Sequence, residues 1–151
     1  MTRFAPHMDL ALSEARAAAA RGETPVGAVI VDPVTGAELA RAGNRTRERA
    51  DPTAHAEMLA IRAACVALGS ERLTGMELYV TLEPCAMSAG AIAAARIARL
   101  VYGAADPKSG GVEQGARVFD HPQAHHRPEV VAGVAEAESA ALLRAFFAAR
   151  R

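Results

Sequence analysis

The sequence predicts an α/β domain built on a mixed sheet, and three observations lead there. An apolar run over residues 25–31 turns back through Asp32-Pro33-Val34-Thr35-Gly36 into a second extended segment, which makes a hairpin. Extended segments at 77–82 and 99–103 flank an alanine-rich helical stretch, and a strand–helix–strand unit of this kind crosses over right-handed to a parallel neighbour. Helical stretches with apolar residues on one side cover the rest. A chain of 151 residues is the size of one domain, residues 1–151, and can bury roughly 70% of its unfolded surface.

Taken in order, residues 7–21 place Met8, Leu12 and Ala15 on one side and Asp9, Glu14 and Arg16 elsewhere, an amphipathic helix that Gly22 stops. The run from Pro25 to Val31 is apolar throughout, as in a strand covered on both faces. Residues 37–43 return antiparallel as an edge strand, closed by Asn44. Met58, Ile61, Cys65 and Leu68 recur at spacings of three and four, the expected buried stripe of a second helix ending before Gly69. Residues 77–82 form a strand that delivers Glu83-Pro84-Cys85 at its C-terminal end, where open α/β sheets put their ligands. Pro84 starts a helix to about residue 95, and a strand at 99–103 leads to a loop holding Asp106, Lys108 and two glycines. Val130-Val131 reads as a short strand, followed by a terminal helix at 135–150 with Leu142, Leu143, Phe146 and Phe147 toward the core.

Seventeen basic residues balance seventeen acidic ones, which argues against indiscriminate coating of nucleic acid and leaves room for a local basic patch. Such a patch is open at Arg45, Arg47 and Arg49, and at Arg144, Arg150 and Arg151. Two cysteines cannot build a disulfide framework. The first ten residues lack the apolar segment of a signal peptide and no run of eighteen apolar residues occurs, so the expected location is cytoplasmic and no membrane partner is expected. His121, His125 and His126 lie in a proline-containing stretch and read as exposed loop histidines rather than a metal cluster.

The chemistry concentrates in two short segments, Thr53-Ala54-His55-Ala56-Glu57 and Glu83-Pro84-Cys85-Ala86-Met87-Ser88. A histidine and a cysteine supply two of the three protein ligands of a catalytic zinc, and Ser88 stands where a third belongs. Positions 85 and 88 share one face of a helical first turn. Two residues apart on a regular helix would point His55 and Glu57 to opposite sides, so His55 is expected at the very start of its helix. Cys65 reads as a structural cysteine on its helix's apolar stripe.

His-x-Glu followed by Pro-Cys-x-x-Cys, here with serine last, resembles the signature of the zinc-dependent nucleobase deaminases. The wider set of Asn44-Arg45-Thr46, Thr53 to Glu57, Leu78 to Cys85 and Tyr102 to Lys108 is similar to the bacterial tRNA adenosine deaminases. That resemblance implies a three-layer α/β/α sandwich with a mixed, about five-stranded sheet of the cytidine deaminase kind. It implies one Zn2+ per subunit on His55, Cys85 and the position of Ser88, and Glu57 as the catalytic proton carrier. It also implies substrate contacts from Asn44, Pro84, Ala86, Asp106 and Lys108, a tRNA anticodon loop as partner and a homodimer. The implied reaction is hydrolytic deamination of adenosine to inosine at the wobble position. Serine is a poor zinc ligand, so metal affinity and activity are expected to fall. A deaminase of free bases or nucleosides, guanine or cytosine, shares the zinc motif, and a non-catalytic tRNA-binding relative that has lost its metal is the remaining alternative.

Overall fold

The computed structural model describes residues 3–150; Arg151 lies outside the described residues. The elements run α1 (Ala5–Ala20), β1 (Gly27–Val31), β2 (Glu38–Gly43), α2 (Ala56–Leu68), β3 (Glu77–Leu82), α3 (Ala86–Ala94), β4 (Arg99–Ala104), a 3₁₀ turn (Val118–Asp120), β5 (Glu129–Val131) and α4 (Glu136–Ala148). The five strands form one sheet in the order β2-β1-β3-β4-β5. β1 pairs antiparallel with β2 and β3, whereas β3–β4 and β4–β5 are parallel. The sheet is therefore mixed, as the hairpin and the crossover required.

One face packs Ala28, Ile30, Leu78, Val80 and Leu100 against α2 and α3. The other packs Val29, Val31, Tyr79 and Val101 against α1, with Leu142 of α4 at its margin. Three layers result. Pairing also sets which strand ends lie together. Gly27 opposes Gly43, Ala28 opposes Val80 and Leu82 opposes Ala104, so the start of β1 and the ends of β2, β3 and β4 share one edge of the sheet.

Two sequence expectations about helix faces need correction. In α2 the buried side carries Ala56, Leu59, Ala60, Ile61 and Ala64, whereas Leu68 is 44% exposed and Met58 and Cys65 are only half-buried. Alanines let the helix axis approach the sheet closely, so of the expected stripe only Ile61 is buried and Met58, Cys65 and Leu68 fall toward the flank. In α4, Phe146 is buried but Phe147 is 47% exposed and meets Phe146 edge-on. Arg150 stacks on the Phe146 ring, so that cation caps the end of the helix.

α1 crosses β1 and β2 at two glycines. A Cβ on Gly27 would lie 1.9 Å from the Ala11 carbonyl oxygen, and one on Gly43 would lie 2.8 Å from that of Glu14. Backbone cannot yield as a flexible side chain does. Gly27→Ala is expected to destabilise the fold by about 3 kcal/mol, the upper part of the range for overpacking, read from the urea midpoint. An unchanged midpoint would mean that α1 lifts off the sheet at little cost.

Candidate active site

Both motif segments sit at helix N-termini above the shared edge of the sheet. His55 is the N-cap of α2, with extended backbone (φ −72°, ψ 151°), and Glu57 is the second residue of the helix proper. Because His55 stands outside the helix, it and Glu57 escape the opposite-face geometry and line one cavity. Cys85 is the N-cap of α3 with the same extended backbone, and Ser88 is fully buried in the first turn. Cys85 Sγ lies 3.7 Å from His55 Nδ1 and 3.7 Å from Ser88 Oγ.

Those separations bear on zinc. With Zn–S near 2.3 Å and Zn–N or Zn–O near 2.0–2.1 Å, neighbouring ligands at tetrahedral angles stand about 3.6 Å apart. The cradle thus has the dimensions of a zinc site, and Glu57 adds a buried carboxylate oxygen, Oε1, without any partner. Position fits; the chemistry at residue 88 is weaker than a thiolate's. Among the described residues no group of three His, Cys, Asp or Glu side chains converges as metal ligands; the third position of the cradle is a serine hydroxyl.

Electrostatics follow the geometry. The His55 ring beside it pulls the Cys85 thiol down to about 7, against the opposing effect of burial. Reciprocally, the Cys85 sulfur raises the His55 imidazole. Cys65, by contrast, is raised by burial and then by Glu71. Burial pushes Glu57, only 4% exposed, above the usual carboxylate range, a condition suited to taking up and releasing a proton.

The cavity holds about 270 Å³ and is bordered by Thr24, Val26, Asn44 and Thr46 on one side and Leu82, Asp106 and Ser109 on another. Sites that enclose a drug-sized molecule run roughly 300–1,000 Å³, so this one suits a single base with its sugar and phosphate outside. Asn44 Oδ1 accepts the Ala56 N–H at 2.9 Å, which caps α2. That bond reaches twelve residues along the chain and leaves the amide nitrogen free of it, in a side chain that lines the cavity. Asp106 reaches the wall, with one carboxylate oxygen accepting the N–H groups of Lys108 and Ser109. Lys108 is exposed and away from the cavity lining; Pro84 is buried beneath the site and Ala86 is exposed beyond it.

Sequence reasoning missed Thr24, Thr46 and Ser109 on the wall and two buried glutamates, Glu83 on the wall itself and Glu23 away from it. Glu23, 2% exposed, accepts the N–H groups of Arg47 and Glu48 at 3.2 and 2.8 Å and so fixes the loop after Asn44. Glu83 does the same for the loop after β4, taking N–H groups from Asp106, Val112, Glu113 and Gln114. An acid closing a strand immediately before proline was the available signal. Of the loop arginines, Arg45 is engaged by Glu48 through two bonds from Nη1, at 2.7 and 2.9 Å. His121 Nδ1 accepts the Gln123 N–H within the loop, whereas half-buried His126 ties the loop back through its Nε2 to the Ile97 carbonyl oxygen at 2.8 Å.

Comparison with known proteins decides the lineage. Residues 1–104 match the cytidine and deoxycytidylate deaminase zinc-binding region. A tRNA-specific adenosine deaminase of Agrobacterium fabrum is 60% identical over 144 residues, 95% of this chain and 93% of its own length. The chain belongs to the tRNA-specific adenosine deaminase family. The Bacillus subtilis member is 45% identical over 97% of this chain and 90% of its own length. A structure from a study of A-to-I editing by tRNA deaminases at the wobble position superposes with TM-score 0.88 at 59% identity, covering 91% of this chain and 99% of that one. A guanine deaminase from Nitrosomonas europaea superposes with TM-score 0.80 at 25% identity, covering 98% of this chain and 86% of that one. For a member of the tRNA deaminase family, the departure that matters is Ser88.

The loop clamp at Glu23 is open to test by pH. Burial alone would raise its carboxyl, but the N–H groups of Glu48 and Arg47 and the cations of Arg21 and Arg47 outweigh burial and lower it. A folded value below the unfolded one stabilises the fold above the unfolded value, about 4.5, and is lost as pH falls through the folded value. The gap in melting temperature between the parent and Glu23→Gln should be full near about pH 6, begin to narrow as pH falls below 4.5, and close once pH has fallen through the folded value. A gap independent of pH would show that the charge is not what holds the loop.

Proposed function

We propose that this chain hydrolyses adenosine to inosine at the wobble position of a tRNA anticodon loop, slowly, because Ser88 replaces a zinc thiolate. The observation that supports it most is that buried Glu57, whose Oε1 has no hydrogen-bond partner among the described residues, lines the same cavity as His55 and Cys85, with Ser88 buried 3.7 Å behind the Cys85 sulfur. The identity to tRNA-specific adenosine deaminases over nearly the whole chain supplies the substrate.

A loop nucleotide can be splayed from its stack into such a cavity more readily than a paired one. The Asn44 amide nitrogen donates to an acceptor on the purine edge and orients it. His55, Cys85 and Ser88 would hold a zinc ion, which would supply a Lewis acid that makes water nucleophilic near neutral pH. Glu57 takes a proton from the attacking water and gives it to the ring nitrogen next to the amino-bearing carbon. It then relays the second proton to the leaving amine, so that water and adenosine become inosine and ammonia. Asp106 and Ser109 face the sugar side of the cavity, and Lys108 reaches phosphate from outside it.

The working unit is a homodimer in the cytoplasm, where tRNA is modified. Val66, 83% exposed, and the partly exposed Leu68 and Met87 put apolar surface on the α2–α3 layer, where a second copy would cover it. Among the described residues no helix is long and apolar enough to cross a membrane.

Inosine formation on an anticodon stem-loop, with free nucleosides and bases as competitors, tests the reading. Ser88→Cys should raise the rate by about 100-fold or more, since even residues behind metal ligands are worth 10–100-fold. Glu57→Gln in that background should lower it by about 10²–10⁴. Preference for free guanine would favour the likeness to guanine deaminases, and RNA binding with no turnover even in Ser88→Cys would make the chain a binding protein.

A further inference from the structure

Glu83 is 2% exposed, and among the described residues no side-chain cation pairs with its carboxylate; four backbone N–H groups do. Oε1 accepts from Asp106 at 3.0 Å, while Oε2 gathers Val112, Glu113 and Gln114 at 3.2, 2.8 and 3.0 Å. Successive N–H groups converging on one anion form a nest, and bonds to an ionised acceptor are the strong ones. Glu83 lies 23 to 31 residues from these donors, so it joins two remote stretches of chain.

The fit around it is close. A Cβ on Gly110 would lie 2.6 Å from Glu83 Cδ, and one on Gly111 would lie 2.5 Å from the Ala86 nitrogen. The Gly111 N–H donates to the Pro84 carbonyl at 2.8 Å, and the Glu83 N–H donates to the Ala104 carbonyl at 2.8 Å. Residues 104–114 are thereby fastened along Glu83–Ala86, the segment whose next side chain is Cys85. One short stretch serves both halves of the site, with Cys85 toward His55 and Glu83 under the loop that carries Asp106 and Ser109.

We propose that Glu83 is a positioning residue for the polynucleotide: it holds Asp106 and Ser109 on the rim where the sugar and phosphates of the bound loop pass. This rests on the function proposed above. A mere filler would tolerate an isosteric amide, but Glu83→Gln turns one acceptor into an NH2 group facing N–H donors, so the nest opens while shape is kept.

The test uses the full chain in the Ser88→Cys background, with Glu83→Gln and, as a variant that keeps the charge, Gly110→Ala. Amide exchange at 106 and 112–114 should quicken in both, with zinc content unchanged. The KM for an anticodon stem-loop should rise by about tenfold or more while kcat changes by less than about threefold, the mark of lost binding rather than lost chemistry. Unchanged exchange, an unchanged KM, or a fall confined to kcat or zinc content would each overturn the proposal. If the parent neither binds nor deaminates the stem-loop, the function proposed above falls and takes Glu83's substrate role with it. Exchange quickening without a KM change on an active parent would refute Glu83 alone.

Discussion

The constraint on which the site depends is the meeting of two helix N-caps above one edge of the sheet. His55 and Cys85 are each the last extended residue before a helix, and both lie on the edge where β1 starts and β2, β3 and β4 end. If either residue were drawn one position into its helix, its side chain would swing by roughly 100°. The 3.7 Å approach would then be lost. Pairing of β1 with both β2 and β3 fixes that approach, and so the core positions the chemistry.

Around this meeting point the walls are held by carboxylates that bind backbone rather than substrate. Glu23 fixes the loop after β2 and Glu83 the loop after β4, one on each side of the cavity. Burying an anion is costly unless its hydrogen bonds are complete, and at both positions they are made by main-chain N–H groups. Glu57 differs from both. Its Oε1 is buried and, among the described residues, has no hydrogen-bond partner, in a side chain that lines the cavity.

The parts of this arrangement written locally were legible in the sequence. The hairpin, the parallel crossover, the displacement of His55 to a helix start and the shared face of Cys85 and Ser88 all follow from spacings of a few residues. The rest depends on partners far along the chain. The clamps at Glu23 and Glu83 act on main-chain N–H groups, which carry no residue signature, and the cavity wall at Thr24, Thr46 and Ser109 comes from three separate loops. The buried face of α2 was misjudged for another reason: bulky side chains announce an apolar stripe, but the small ones at Ala56, Ala60 and Ala64 let the helix seat. Lys108 is exposed outside the cavity, after the turn at Asp106, a position that spacing alone does not reveal.

In the proposed function the cradle holds one zinc ion through a single sulfur, that of Cys85. X-ray absorption at the zinc edge of the metal-loaded protein would count the sulfurs. One sulfur near 2.3 Å is expected, with the remaining ligands nitrogen or oxygen near 2.0–2.1 Å and a second sulfur appearing in Ser88→Cys. Two sulfurs in the chain as it stands, or no zinc retained after loading, would contradict it.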